Sequence, residues 1–385
     1  MDVDIVTNAV AGGWDPRRLA EGLGGSEECV TLLAEALARR GLRVAVYASL
    51  PGDAPFTHRG VAWRPRGAFD PAAPRHALIG FKEPGLWLFP ARAEVAVHWS
   101  SDAEPALKPA LLGRVGHVVA LSAAHAERLA WVPRERLRVI PHGIGAPFWL
   151  PGPRDERSAL PRESGAAGLP WREREPILLA CSSPDRGLER LLLDWPRLLK
   201  AHGELRLLVT YGFQRIPPSP WRAHMESLLA QRGIMYLGCL GEEALAERMR
   251  SARYWVHPLN APAAELFCLS AVKAQALGAL PVTQHVADSG LRDTVREYIP
   301  YSAFLGGSTA PQPNPAARGD LPLSWDEVVA RWWLPLLEGN GKSVLQDTVL
   351  PQGAVSPQEP VPRLATPLSQ EGAPGGDAGR MGGAA

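Results

Sequence analysis

Residues 265–278 have the sequence ELFCLSAVKAQALG, and the apolar run YWVHPL precedes them at 254–259. The run has the length and composition of a strand that ends in a loop, and ALPVT at 279–283 begins a second strand. Between the two strands the pattern predicts a helix over 267–277 that Gly278 ends. Such a helix start can hold a phosphate, because its free N–H groups and its macrodipole favour an anion. The alternative is an ordinary packed helix whose entry loop contains a glutamate.

The length and composition of the chain limit the classes of protein to which it can belong. The chain has 385 residues, which is long enough for two domains, and 46% of them are hydrophobic. A formal net charge of +1 gives no reason to expect a nucleic-acid surface or a basic membrane patch. The N-terminus lacks the positive charge of a signal peptide and no apolar run reaches membrane-spanning length. We therefore expect a cytoplasmic protein without a transmembrane segment.

The cysteines give no sign of a metal site in the sequence. They are far apart and form no C-x-x-C pair, so zinc and a disulfide framework are not expected. Their default environment is a reducing compartment. The four positions are Cys29, Cys181, Cys239 and Cys268.

The first 150 residues alternate strands and helices. Val3–Thr7 predicts a buried strand, a loop with several glycines covers 8–25, and Ser26 is the predicted N-cap of a helix. That helix runs over 27–40, and the strand at 42–47 completes a βαβ unit, which implies a parallel sheet. Further strands are predicted at 60–63, 77–81, 95–99 and 137–140, with a helix at 123–129.

A second alternation follows after a change of composition. Residues 151–173 are rich in Pro, Gly, Arg and Glu and are predicted to be a linker to a second α/β domain at 174–305. Residues 306–340 are predicted to be a further connection with a C-terminal helix, which starts at the capping-box sequence SWDE of 324–327. Residues 341–385 lack periodicity and are predicted to be disordered. Two such domains place a ligand in the cleft between them, at the carboxyl ends of the strands.

Gly24 and Gly25 form the first candidate binding element. Glycines at a strand-to-helix turn let a diphosphate approach the backbone and the helix N-terminus closely. The loop lacks the dinucleotide fingerprint, which from Gly22 would need glycine in place of Glu27. The alternative is an ordinary mobile loop.

Arg186 lies in the turn after the first strand of the second domain, directly after the sequence SSPD of 182–185. Its guanidinium can neutralise a departing diphosphate, where negative charge develops during the reaction. The alternative is a solvated arginine in a turn.

His98 lies near the end of the predicted strand at 95–99. A histidine there can hydrogen-bond a reacting hydroxyl, whereas the alternative is a satisfied histidine of the core. Neither G-x-S-x-G nor H-E-x-x-H is present, so the sequence supports neither a serine-hydrolase elbow nor a zinc-protease helix.

Five stretches, in the family's order and spacing, resemble the retaining glycosyltransferases of the GT-B architecture, of the family-four or glycosyl transferases group 1 type. They cover most of residues 1–295 and read GLGGSEECVTLLAEALARRGLRVAVYA, LSAAHAERLAWVPRERLRVIPHGI, SSPDRGLERLL, YLGCLGEEALAERMRSARYWVHPL and ELFCLSAVKAQALGALPVT. The resemblance implies an α/β fold of two Rossmann-like domains whose parallel sheets face a central cleft. Residues 1–150 are then the acceptor domain and 174–305 the nucleotide-sugar domain.

The resemblance also implies an activity. A sugar, expected to be a hexose, passes from a nucleotide-diphosphate-sugar donor to a hydroxyl of a glycan, lipid or small molecule. The anomeric configuration is retained, no catalytic metal takes part, and the nucleotide sugar is a co-substrate rather than a cofactor.

The resemblance assigns roles to residues along the cleft. His98, Arg186 and Glu265 are implied to act in catalysis, and Glu27 faces the acceptor. The implied donor-binding residues are Gly24, Gly25, Ser183, Leu240, Phe267, Cys268, Leu269 and Lys273.

Lys273 departs from the family pattern. It stands at the second position of the family's Glu-x7-Glu motif, where a carboxylate usually accepts hydrogen bonds from the ribose. Glu265 lies about 12 Å away along the helix and cannot replace that contact. We hypothesise that Lys273 turns toward the diphosphate and partly replaces a cation that many relatives carry before Arg186. The alternatives are a nucleotide-sugar-binding protein of the same fold with lost or weak transfer activity, and a sugar-nucleotide epimerase of related shape.

Overall fold

A computed structural model defines the fold, and it describes residues 1–10, 12–52, 54–102, 107–149, 170–213, 217–260 and 262–339. Residues 151–169 of the predicted linker and the predicted tail at 341–385 lie outside this part of the chain. Among the described helices, none combines the length and the hydropathy that a bilayer-spanning segment needs.

The first half of the chain forms an eight-stranded sheet. Its strands are β1 (Asp2–Thr7), β2 (Arg43–Ala48), β3 (Phe56–His58), β4 (Val61–Pro65), β5 (Arg75–Phe81), β6 (Ala93–Trp99), β7 (His117–Ala120) and β8 (Leu137–Val139). Their order is β3-β4-β2-β1-β5-β6-β7-β8, and all neighbours are parallel except β3 and β4. Helices α1 (Gly25–Arg39) and α2 (Ala123–Arg128) belong to this half. The predicted parallel sheet is therefore confirmed.

The second half forms a seven-stranded sheet. Its strands are β9 (Glu175–Ala180), β10 (Arg206–Val209), β11 (Ile234–Tyr236), β12 (Ala252–His257), β13 (Leu280–Thr283), β14 (Glu297–Pro300) and β15 (Gln312–Pro313). Their order is β11-β10-β9-β12-β13-β14-β15, and only the last pair is antiparallel. Its helices are α3 (Leu188–His202), α4 (Pro220–Leu229), α5 (Glu242–Ser251), α6 (Leu269–Ala276), α7 (Leu291–Thr294) and α8 (Tyr301–Leu305).

Short 3-10 helices occupy many of the connections. They span Pro16–Glu21, Arg66–Ala68, Pro84–Leu88, Pro109–Arg114, Ala146–Phe148, Trp171–Glu173, Pro184–Arg186 and Pro262–Ala264. Proline is in the first turn of most of them, where its missing N–H has no helical partner to lose.

The C-terminal helix returns to the first sheet. It consists of α9 (Trp325–Val328), a π-helical turn at Val329–Trp333 and α10 (Leu334–Leu337). Ser324 and Glu327 form the predicted capping box, and the Trp333 ring packs 5.3 Å from that of Trp99 on β6. One buried apolar cluster runs from β1 and α1 through this helix to α6, so the two sheets share a core.

The start of α1 differs from the prediction. The structure places the N-cap at Gly24 instead of Ser26, and Gly24 offers no side-chain acceptor to the first turn. Ser26 lies inside the helix because the chain already turns helical at Gly25. The cap residue of α1 therefore gives the N–H groups of Gly25 and Ser26 no side-chain acceptor.

Candidate functional site

A cavity of about 300 Å³ lies between the two halves of the described chain. Its lining includes Lys82 and Leu121, which directly follow β5 and β7 of the first sheet. It also includes Cys181 and Thr210, which directly follow β9 and β10 of the second sheet. The cavity therefore lies at the carboxyl ends of both sheets, where α/β proteins bind ligands.

The start of α6 forms one wall of this cavity. Cys268 is its N-cap and provides no side-chain cap, and Phe267, Leu269 and Ser270 line the cavity beside it. The N–H of Leu269 already donates to the carbonyl of Phe267 at 3.0 Å. Ser270, which is not among the predicted site residues, has its hydroxyl 3.3 Å from that of Ser182. The helix start and the two hydroxyls together offer hydrogen bonds to an anion.

Arg186 comes from the 3-10 turn after β9. Gly187, with φ of 111°, lets the chain leave this turn, and a Cβ on it would collide with the carbonyl oxygen of Pro258. The guanidinium donates to the carbonyl of Ala264 at 2.7 Å and lies 3.7 Å from the carboxylate of Glu265. The close approach of the two loops thus requires glycine at 187, and the turn brings the cation of Arg186 to the α6 wall.

Glu265 is held by two basic groups. Nε2 of His257 lies 3.1 Å from its Oε2, and the guanidinium of Arg186 lies 3.7 Å from the same oxygen. Burial raises the pKa of Glu265, but the hydrogen bond and charge of His257 and the charge of Arg186 outweigh it, so the pKa is below its usual value. The carboxylate therefore enters the cavity ionised and acts as a fixed negative charge rather than as a proton donor.

Lys273 connects α6 with α1 of the other half. Its Nζ donates to Oε1 and Oε2 of Glu28 at 2.6 and 2.7 Å, lies 3.9 Å from Glu242, and sits 4.3 Å from the ring centre of Phe148. The lysine and both glutamates line the cavity, and their side chains are 5 to 12% exposed. The ammonium thus has carboxylate partners of its own, and the compensation hypothesis for the diphosphate stays a prediction.

Burial and the neighbouring charges shift the pKa values of Lys273 and Glu242. Burial lowers the pKa of Lys273, but the two carboxylates outweigh it and the pKa lies above its usual value. Burial, followed by the charge of Glu28, raises the pKa of Glu242 to about 7. Two carboxylates therefore share one cation, and the raised pKa of Glu242 favours its protonated form near neutral pH.

The predicted site residues divide into two groups. The structure brings Gly25, Ser183, Arg186, Leu240, Glu265, Phe267, Cys268, Leu269 and Lys273 together around the cavity. Gly24, Glu27 and His98 are not among the lining residues. Gly24 caps α1 next to the cavity, and Glu27 is buried beside the lining residue Glu28. The predicted roles of all these residues stay predictions.

His98 lies in β6 and is buried in the first half of the chain. It is 2% exposed, and its Nδ1 accepts a hydrogen bond from Nε1 of Trp87 at 3.1 Å. Burial lowers its pKa to about 4, so the ring is neutral at physiological pH. A neutral, hydrogen-bonded ring in this position helps to hold the 3-10 helix that contains Trp87 against β6.

The histidine that does line the cavity is His142. It follows β8 in the sequence Pro141-His142-Gly143, and its ring lies edge-to-face with that of Phe267, 5.3 Å between centres. Burial and then the charge of His125 lower its pKa to about 3, so it is a neutral hydrogen-bonding group. Only its place at the end of a strand signalled it in the sequence.

No protein-family model and no curated protein sequence matches this chain. Solved structures do resemble it. Sucrose-phosphate synthase from Thermosynechococcus elongatus is 19% identical, with a TM-score of 0.54 over 76% of this chain and 82% of that one. AviGT4, a glycosyltransferase involved in avilamycin A biosynthesis, is 17% identical, with a TM-score of 0.50 over 88% and 98%.

This likeness shows the fold. Both relatives, like this chain, combine two α/β halves with mostly parallel sheets around a cleft, which is the GT-B architecture of glycosyltransferases. The predicted fold class is confirmed. At these identities the likeness defines the architecture, and the activity has to be argued from the cavity.

Proposed function

We propose that the protein is a glycosyltransferase that moves a sugar from a nucleotide-diphosphate-sugar donor to a hydroxyl acceptor. One observation carries the proposal: the starts of α1 and α6 and the guanidinium of Arg186 meet in one cavity between the halves of a GT-B fold. Helix starts and an arginine are groups that bind a diphosphate. The reaction in this proposal retains the anomeric configuration and needs neither a catalytic metal nor a cofactor.

The donor in this proposal lies along the α6 wall. Its diphosphate accepts hydrogen bonds from the start of α6 and from Ser270, and its base lies against the loop at Leu240, which lines the cavity before α5. Arg186 exchanges its 3.7 Å contact with Glu265 for the phosphates. A guanidinium binds phosphate in a bidentate manner, so this exchange is favourable.

The chemical step uses the charges of the same wall. As the bond between the anomeric carbon and the phosphate oxygen breaks, negative charge grows on the diphosphate, and Arg186 and the helix starts stabilise it. Positive charge grows on the sugar ring, and the ionised Glu265, which lines the same cavity, would stabilise it. The acceptor hydroxyl attacks from the face that the diphosphate leaves, and its proton passes to the leaving phosphate oxygen.

A panel of uridine-, guanosine- and adenosine-diphosphate sugars with hydroxyl acceptors tests this function. We expect product with one donor class, and we expect Arg186→Gln to lower kcat/KM about 100-fold, because one cation at the developing charge is lost. Arg190→Gln is the matched control, because Arg190 lies in the first turn of α3, four residues after Arg186, and does not line the cavity. A chain that neither forms product nor binds any nucleotide sugar contradicts the proposal.

The second candidate is a nucleotide-sugar-binding protein without transfer activity. The observation that favours it is the buried Lys273–Glu28 ion pair in the cavity wall, at a position where the family resemblance implies a free carboxylate. A nucleotide sugar that raises the melting temperature, with no product and no hydrolysis, would select this candidate. The same panel detects donor isomerisation, which the epimerase alternative requires.

A further inference from the structure

Three side chains with metal-binding atoms converge beside the start of α6. His257 ends β12, Glu265 follows the 3-10 turn at Pro262–Ala264, and Cys268 is the N-cap of α6. One ligand atom from each lies within 4.8 Å of the other two. His257 is 1% exposed and Cys268 is 3% exposed, while Glu265 and Cys268 line the cavity. The group is therefore built into the core and open to the cavity on one side.

We propose that His257, Glu265 and Cys268 bind a thiophilic divalent cation of the zinc class. Imidazole, carboxylate and thiolate are the three ligand types that zinc takes in proteins, and sites with three protein ligands keep a fourth position open. The sulfur ligand disfavours Mg²⁺ and Ca²⁺, which prefer oxygen. Bound ligand atoms lie roughly 3.5 Å apart around zinc, so the side chains must close by about 1 Å.

The sequence spacing did not indicate this site. The expectation of no zinc rested on the absence of a C-x-x-C pair, whereas the three groups of this site are of three different types at 257, 265 and 268. A strand end and a helix start bring them together. All four cysteines of the chain line the same cavity.

Binding rearranges the contacts of this wall. The sulfur–metal bond replaces the S–H bond of Cys268, and the released proton passes to solvent. His257 gives up its 3.1 Å hydrogen bond to Glu265, and both groups turn to the cation. Arg186 lies 3.7 Å from the Glu265 carboxylate and is 30% exposed, so it opposes the cation by charge and has room to swing away. Removal of Arg186 should therefore strengthen metal binding.

The cation also occupies the wall to which the proposed donor binds. The cation would coordinate Glu265 and cover the start of α6, so it should inhibit donor binding. This consequence rests on the proposed function, whereas the binding of the cation does not.

Titration of the full-length protein with Co²⁺ tests the site, because a cobalt–thiolate bond gives a near-ultraviolet charge-transfer band. We expect one equivalent to saturate the band and one equivalent of Zn²⁺ to abolish it. Cys268→Ser should lose the band, His257→Gln should weaken affinity at least tenfold, and Arg186→Gln should strengthen it severalfold. Cys181→Ser, which changes another cysteine of the same cavity, is the matched control and should keep the band.

The outcomes separate the proposals. A missing band in the unmodified protein, a band that survives Cys268→Ser, or an equal loss in Cys181→Ser would overturn the metal site, provided that circular dichroism shows each variant folded. If Co²⁺ binds as expected and no nucleotide sugar binds or reacts, the metal site stands and the proposed function fails. If a nucleotide sugar binds equally well with and without saturating Zn²⁺, the inhibition by the cation is refuted.

Discussion

Replacing Lys273 by methionine removes the cation that two buried carboxylates share. Methionine keeps the length of the side chain, so the main loss is the ion pair to Glu28 and the contact with the Phe148 ring. The lysine and glutamate side chains are 5% and 9% exposed, and breaking such a buried pair costs about 3–5 kcal/mol because a charge is left without a partner. We expect a loss of that size in the free energy of unfolding at pH 8, measured by urea denaturation.

The ranking of variants makes this reasoning testable. Glu28→Gln should cost less than Lys273→Met, because Lys273 keeps Glu242 at 3.9 Å. The double variant should cost less than the sum of the two single variants by at least about 2 kcal/mol, because both ends of one interaction are then removed.

A surface ion pair supplies the control. Arg39 and Asp326 lie 3.1 Å apart with side chains 50% exposed, so Arg39→Met should cost under about 1 kcal/mol. If Lys273→Met costs no more than Arg39→Met, or if the effects of Lys273→Met and Glu28→Gln simply add, then the buried pair described here does not exist in solution.

Two further predictions concern single residues. The pKa of Glu242 in the folded protein is about 7, above its usual 4.5, because the folded protein binds this proton more tightly than the unfolded chain. The proton therefore contributes to the free energy of unfolding fully below pH 4.5, and this stabilisation is lost as the pH rises through 7. Glu242→Gln should therefore raise the free energy of unfolding at pH 8 by roughly 2–3 kcal/mol and change it little at pH 4.5. Equal effects at both pH values would contradict the raised pKa of Glu242. Gly187→Ala should lower both the melting temperature and the affinity for a nucleoside diphosphate, because φ at 187 is 111° and the new Cβ meets the carbonyl of Pro258. An unchanged melting temperature and affinity would show that the turn at Gly187 and the loop at Pro258 do not approach so closely.

Local patterns in the sequence predict most of the helices and strands of the fold. The helix predicted over 267–277 is observed at Leu269–Ala276, and the predicted strand at 77–81 is the end of β5. These predictions succeed because apolar periodicity and terminating glycines are properties of neighbouring residues. β3 and β7 were not predicted, since strands of three and four residues show too few alternations to stand out.

The candidate site is only partly readable from the sequence. Glycine loops and an arginine after a strand end are local signals, so Gly25 and Arg186 were found. The pairing of Lys273 with Glu28 joins residues that lie 245 positions apart, and no local pattern encodes it. His257 was not predicted for a related reason. It ends an apolar strand, and no local pattern in the sequence indicates that the following loop brings the Glu265 carboxylate to 3.1 Å from its ring.

The cations of the cavity are unequal partners for an incoming anion. Lys82 is paired with Asp102 at 3.0 Å, and Lys273 is buried against two carboxylates, so both would lose short contacts on turning to a phosphate. Arg186 donates to the carbonyl of Ala264 at 2.7 Å, but its carboxylate contacts are longer, 3.6 Å to Asp185 and 3.7 Å to Glu265, and its side chain is 30% exposed.

Arg186 is therefore the cation that a diphosphate recruits at least cost. We expect Arg186→Gln to weaken binding of a nucleoside diphosphate at least tenfold by isothermal titration calorimetry, whereas Lys273→Met, measured well below its melting temperature, changes it less than threefold. An equal loss in both variants would show that Lys273 leaves Glu28 and contributes its charge to the phosphates, as the compensation hypothesis predicts.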